Sequence, residues 1–141
     1  MNRYPLWKYI VIAVALLASL VYMGSAGLSK IAPRFSLEHA VWEIRSTLNA
    51  VRYRALFEGI SYRVRFSKSS YAVEKYDAEE KAWVLAGRTT IEKVAIEANN
   101  IPVFTPEGTV TGLVTITVSN ERGEYRLTLA ITGRIKTARI R

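Results

Sequence analysis

The stretch "SLEHAVWEIRSTLNAVRYRALFEGISYRVRF" (Ser36–Phe66) changes its hydrophobic period once. Leu37, Val41, Ile44, Leu48, Val51 and Ala55 recur at steps of four and three, which draws one apolar stripe along a helix. Ser36 predicts an N-cap, and Glu38 in the first turn suits the helix dipole. Gly59 predicts the stop, so the helix is expected over Ser36 to Glu58. From Ile60 the period becomes two. Ile60, Tyr62, Val64 and Phe66 fall on one face of a strand, and Ser61, Arg63 and Arg65 on the other. A striped helix followed by an alternating strand must bury the stripe on a sheet, so the fold class is α+β.

Downstream, the strand pattern repeats. "YAVEKY" (Tyr71–Tyr76) and "AWVLA" (Ala82–Ala86), separated by the polar turn "DAEEK", extend an antiparallel meander. "IEKVAIEA" (Ile91–Ala98) predicts a weaker strand, and "TPEG" (Thr105–Gly108) a turn. "LVTITVS" (Leu113–Ser119), "NERG" and "YRLTLAI" (Tyr125–Ile131) form a hairpin pattern. "RIKTARI" (Arg134–Ile140) adds a last strand after Thr132-Gly133, for six or seven strands in all.

Upstream lies "RYPLWKYIVIAVALLASLVYM" (Arg3–Met23), and no charge occurs from Tyr9 to Ser29. A run of ~20 such residues spans a bilayer core as a helix. Arg3 and Lys8 precede it, and Lys30 and Arg34 follow it. A cleaved secretion signal is the alternative, with Gly24-Ser25-Ala26 as its cut site, but the long run and its two basic flanks favour an uncleaved transmembrane helix. The expected division is a membrane anchor and flank over residues 1–35 and one globular domain over 36–141, with Pro33 interrupting the helix between them.

The chain has 141 residues and a formal charge of +8. Part of that excess flanks the apolar run, which leaves the globular part mildly basic. Its last twenty residues hold Arg122, Arg126, Arg134, Lys136, Arg139 and Arg141 against Glu124 alone. Such a tail suits nucleic acid, anionic lipid or an acidic partner, or else a solvated strand face. Without cysteine, zinc–thiolate sites and cysteine nucleophiles are excluded. His39 is the lone histidine and reads as a surface residue; Glu79-Glu80 read as a solvated turn, and Trp42 and Trp83 as core or contact aromatics. No HxxxH, GxSxG or glycine-rich phosphate loop occurs. The expectation is a binding or structural protein, not an enzyme, with no cofactor, metal or catalytic residue.

"AVWEIRSTLNAVRYRALFEGISYRVRF" (Ala40–Phe66) resembles the helix-to-first-strand region of minor pilins and pseudopilins of the GspH/FimT type, with Arg54, Ala55, Leu56 and Gly59 at the pattern positions. "FTPEGTVTGLVTITVSNERGEYRLTLAITGRIKTARI" (Phe104–Ile140) resembles their closing pattern at Phe104, Pro106, Gly108, Gly123, Thr132, Gly133 and Arg134. The start departs from that family. Its members carry a leader ending in Gly, then Phe-Thr-Leu-x-Glu, whereas this chain has no Gly before residue 24 and no acid before Glu38. "NRYPLWKY" (Asn2–Tyr9) instead resembles the opening of the SecD subunit of the protein-export machinery.

The pilin-like resemblance implies a structural subunit of a type II secretion or type IV pilus system. It would sit in the bacterial inner membrane by a single pass over residues 9–29, its globular domain in the periplasm, working through contacts with other pilin-like subunits or secretion-system proteins. The alternative is an anchored minor pilin that binds DNA through Arg126, Arg134, Lys136, Arg139 and Arg141. The opening residues alone suggest a third reading, an accessory subunit of the Sec translocase.

Overall fold

The computed structural model describes the backbone of residues 6–141 and the side chains of residues 7–19 and 36–141. The described residues fall into two units that divide between Ala32 and Pro33. The long helix α1 (Leu6–Glu58) supplies the first and enters the second. Its early apolar residues, among them Trp7, Ile10, Val11, Val14 and Leu17, are exposed. The second half of the predicted membrane segment 9–29 has its side chains outside the described residues. Among the described residues, no helix is long and apolar enough to cross a membrane.

Two expectations for this helix need correction. Pro33 does not interrupt it, and Ser36 lies inside it rather than at its start. A proline removes one donor from the ladder, but bonds on either side can carry a helix through that gap. With helical residues upstream, the amides after Ser36 have backbone carbonyls one turn back and need no side-chain cap. The predicted stop is found. Gly59 takes φ 64° and donates its N–H to the Ala55 carbonyl at 3.0 Å, a left-handed cap that a side chain would strain.

Eight strands follow: β1 (Tyr62–Ser67), β2 (Ser70–Asp77), β3 (Ala82–Thr90), β4 (Ala95–Ala98), β5 (Val103–Phe104), β6 (Val114–Asn120), β7 (Gly123–Leu129) and β8 (Ile135–Arg139). They form two antiparallel four-stranded sheets, in the orders β3-β2-β1-β5 and β4-β6-β7-β8. The weak strand expected over Ile91–Ala98 shrinks to β4 because Lys93 takes φ 64°, which turns the chain before Ala95. The two-residue β5 lies outside the sequence reading; so short a strand has no period to detect.

The helix stripe is the centre of the core. Leu37, Val41, Ile44, Leu48, Val51 and Ala55 are buried, together with Ala40. They share one cluster with Tyr62 and Val64 of β1, Phe104, the Val114–Ile116–Val118 row of β6 and Leu127 and Leu129 of β7. The alternation read for β1 holds, since Ile60 and Phe66 also pack against this cluster. Tyr71 at the start of β2 meets Thr47 at 2.9 Å and donates to Glu43 at 3.2 Å. Tyr62 at the start of β1 reaches Glu58. The β1–β2 hairpin end therefore lies toward the beginning of the buried stripe, and the start of β1 toward its end.

Candidate interaction surfaces

The five cations predicted for a binding surface lie on β7 and β8 or beside the ends of β8. Arg126 stands opposite Ala138 and Thr117, and Lys136 opposite Thr128, on the outer face of the second sheet. Ile135 and Thr137 turn inward. Arg139 follows their face at the strand end, where its guanidinium lies 6.0 Å from the centre of the Tyr125 ring. Its Nε donates to the Arg141 carbonyl at 3.3 Å. Arg134 lies in the turn before β8, where the Ala130 N–H donates to its carbonyl at 2.9 Å. The sheet thus brings Arg126 and Lys136 together as diagonal neighbours. Arg134 and Arg141 are separated by the length of β8, on the order of 20 Å. The same outer face carries Glu97, in register with Thr117, and Glu124, in register with Ser119. The result is a stripe of mixed charge.

Leu56, Gly108 and Gly133 of the pilin-like sequence pattern meet at the end of α1, whereas Gly123 lies at the other end of the stripe, where a Cβ would be 3.6 Å from Leu37 Cδ2. Arg52 donates from Nε to the Gly108 carbonyl at 2.8 Å. Gly133 has φ 81°, and a Cβ there would lie 2.5 Å from Arg52 Nε. Gly108 also has φ 81°, and a Cβ there would lie 2.9 Å from Leu56 Cδ2. The two glycines let both turns close over the last helical turns, with Phe104 fully buried beneath. The spacing of these pattern residues is therefore a packing requirement. Beside them, the Tyr62 hydroxyl donates to Glu58 and accepts from Arg54 at 3.2 Å. This hydrogen bond from Tyr62 holds the Glu58 carboxyl below its ordinary range, and burial pushes the Tyr62 hydroxyl above its own.

The solvent side of α1 carries three large aromatics among polar residues such as Glu38, Arg45 and Ser46. Trp42 is 66% exposed, Tyr53 57% and Phe57 87%. They recur at close to whole-turn separations, so they form a second stripe about opposite the buried one. The sequence reading named Trp42 but passed over Tyr53 and Phe57. The signal was the same stripe arithmetic, displaced by half a turn. His39 is exposed beside this stripe, with Nδ1 3.8 Å from Glu43 and its ring 6.4 Å from Trp42.

The outer face of the first sheet is charged. Arg63 pairs with Glu74, and Arg65 reaches the same carboxylate at 3.4 Å. Arg63 also covers the Trp83 ring at 4.5 Å, and Tyr76 meets that ring edge-on. Glu79 and Glu80 lie in the β2–β3 turn as expected; their backbone N–H groups donate to Asp77 Oδ1 at 2.8 and 3.3 Å. Among the described residues, no group of three or more His, Cys, Asp or Glu side chains could hold a metal ion.

A helix laid along two antiparallel four-stranded sheets, closed by glycine turns at its end, is the fold of the GspH/FimT-type minor pilins and pseudopilins. Among solved structures it is similar to the minor pseudopilin EpsH from the type 2 secretion system of Vibrio cholerae, with a TM-score of 0.64 at 15% identity over 74% of this chain and 97% of that one. It is similar too to the type IV minor pilin FimU of Pseudomonas aeruginosa PAO1, with a TM-score of 0.62 at 15% identity over 74% of this chain and 90% of that one. No family model matches the chain. No curated protein matches it either.

Proposed function

We propose that this chain is a minor pseudopilin- or pilin-like structural subunit of a type II secretion or type IV pilus assembly. It is held in the bacterial inner membrane by the first part of α1, with the globular unit in the periplasm, and it acts by protein–protein contact. The observation that carries this reading is the pilin fold joined to an exposed aromatic stripe on the same helix. Trp42, Tyr53 and Phe57 contribute nothing to their own core, and large exposed aromatics on a regular face are the anchors that interfaces use. The exposed apolar residues from Trp7 to Leu17 support an anchor, because such a helix is stable where an apolar medium covers it.

The test uses the full chain expressed with its neighbouring pilin-like subunits. Changing Trp42 and Phe57 together to Ser should abolish cross-linked complexes with those subunits while leaving the thermal unfolding curve in place. Unchanged cross-linking would overturn the contact assigned to this stripe. Extraction of the chain from membranes by alkaline carbonate would overturn the anchor.

A second reading is DNA binding by Arg126 and Lys136, supported by their shared outer face, with Arg134, Arg139 and Arg141 at the strand ends. It requires binding that is indifferent to sequence and falls steeply with salt. Equal retention of DNA by the full chain and by a variant with all five changed to Ala would remove it.

A further inference from the structure

The β3-β2-β1 ladder builds a small basic cleft whose place in the fold is fixed by register. Arg65 of β1 stands opposite Ala72 of β2, and Ala72 stands opposite Arg88 of β3. These three residues make one row across the outer face of the first sheet. Ala72 is small and 8% exposed, yet it takes no part in the core cluster. It is the floor of a cavity of about 130 Å³, lined by Arg65, Ser67, Ser70, Glu74 and Arg88. Two guanidiniums form the walls, two serines the rim, and Lys68 occupies the adjoining hairpin turn. The one carboxylate, Glu74, is already engaged by Arg63 and Arg65. Arg88 has no ion pair among the described residues. The cleft has room for a carboxylate-sized group and an excess of donors to hold it.

An acidic group lies at the other end of the same strands. The β2–β3 turn follows Asp77 and carries Glu79, Glu80 and Lys81, so with Asp77 its tip is net acidic. Asp77 Oδ1 accepts from the backbone N–H groups of Glu79 and Glu80, which fixes the turn, and the Glu79 and Glu80 side chains are exposed without ion pairs among the described residues. From Ala72 in the cleft to Ala78 in the turn the strand runs about 20 Å, so cleft and turn cannot meet within one molecule.

We infer that the Arg65–Arg88 cleft receives the Glu79-Glu80 turn of a second copy of this chain, in a head-to-tail contact along the strand direction. Such a contact joins two different patches and leaves a free cleft at one end and a free turn at the other, so it propagates instead of closing. The cleft lies toward the beginning of the buried helix stripe and the turn toward its end. The contact follows from the charges of the first sheet alone and is independent of the reading of the aromatic stripe.

The experiment exploits the absence of cysteine. In the full chain, Ser70→Cys places one thiol on the cleft rim, and Ala78→Cys places one on the turn. Under mild oxidation, the double variant should give a ladder of cross-linked oligomers, and a mixture of the two single variants should give a mixed dimer. Adding Arg65→Glu and Arg88→Glu should reduce cross-linking about tenfold or more, because like charges then face each other. Adding Glu79→Arg and Glu80→Arg to a separate double-cysteine chain should do the same. Mixing these two charge-reversed chains should restore the ladder, which also shows that both are folded. Absence of a ladder, equal cross-linking in either charge-reversed chain alone, or a predominance of Ser70→Cys homodimers would overturn the inference. So would cleft-dependent binding of inorganic phosphate without any cross-link.

Discussion

The two sides of α1 both carry large apolar residues at helical spacing, yet these do opposite things. Leu48 and Ile44 face the sheets and are 1% exposed, while Phe57 faces away and is 87% exposed. Both stripes follow helical spacing, so period alone cannot tell them apart. Partners make the difference: the inner stripe has β6 and β7 against it, and among the described residues the outer stripe has His39 beside Trp42 and little else. An apolar row is core only when the rest of the chain supplies a matching surface. Where it does not, the row is available to another molecule.

Substitutions can break that contrast in order of size. Leu48→Ala opens a cavity beneath the sheets and should cost about 2–5 kcal/mol in urea unfolding. An unchanged midpoint would mean that the inner stripe is not core. Gly133→Ala acts at the end of the same helix. It forces a side chain into left-handed backbone and displaces Arg52 from the Gly108 carbonyl, at a cost of about 1–3 kcal/mol by the same measurement.

Tyr62→Phe, at the border of the two sides, should cost about 1 kcal/mol near neutral pH, and its signature is in the pH dependence. The Glu58 carboxyl is held below its ordinary value of 4.5, so its contribution is present above that value and is lost as pH falls through the lower, folded one. The Tyr62 hydroxyl is held above its ordinary value of 10.0, so its contribution is present below that value and is lost as pH rises through the higher one. The gap between wild type and Tyr62→Phe should therefore narrow at both extremes. A gap constant from acid to alkali would detach the two residues. The smallest effect belongs to the outer stripe: Phe57→Ser should change unfolding stability by no more than about 0.5 kcal/mol. A larger loss would make Phe57 part of the core after all.

The helix stripe, the β1–β2–β3 meander and the closing hairpin were legible in the sequence because each runs for several periods. The resemblance located Gly108 and Gly133 without giving their reason, which is that Leu56 and Arg52 press on them from the helix. Lys93 hid a turn, since nothing in "IEKVAIEA" announces a positive φ in its middle. The continuation of α1 through Pro33 went against the local signals, because proline and Ser36 both point to a helix start when read alone. The row Arg65–Ala72–Arg88 was illegible for another reason. It depends on pairing between strands, and Arg88 lies more than twenty residues from Arg65. The cations of the last twenty residues were legible as a group, but Arg134 falls in the turn before β8, and the acids that share the outer face with Arg126 and Lys136 come from β4 and β7, which a linear reading keeps apart.

The β2–β3 ladder changes register between Val73 and Glu74: Val73 faces Gly87, Glu74 faces Leu85, and Ala86 is left over. In an unbroken strand, Leu85 and Arg88 would have opposite parity and point to opposite sides. The spare residue resets the count, so both point outward. Chain length is therefore slack at one place in this strand. A one-residue deletion usually turns every side chain beyond it inside out, yet loss of Ala86 would leave Leu85, Gly87 and Arg88 facing as they do now in a ladder without a bulge. Loss of Val84, two residues earlier in β3, has no such escape, because the strand around it is in regular register.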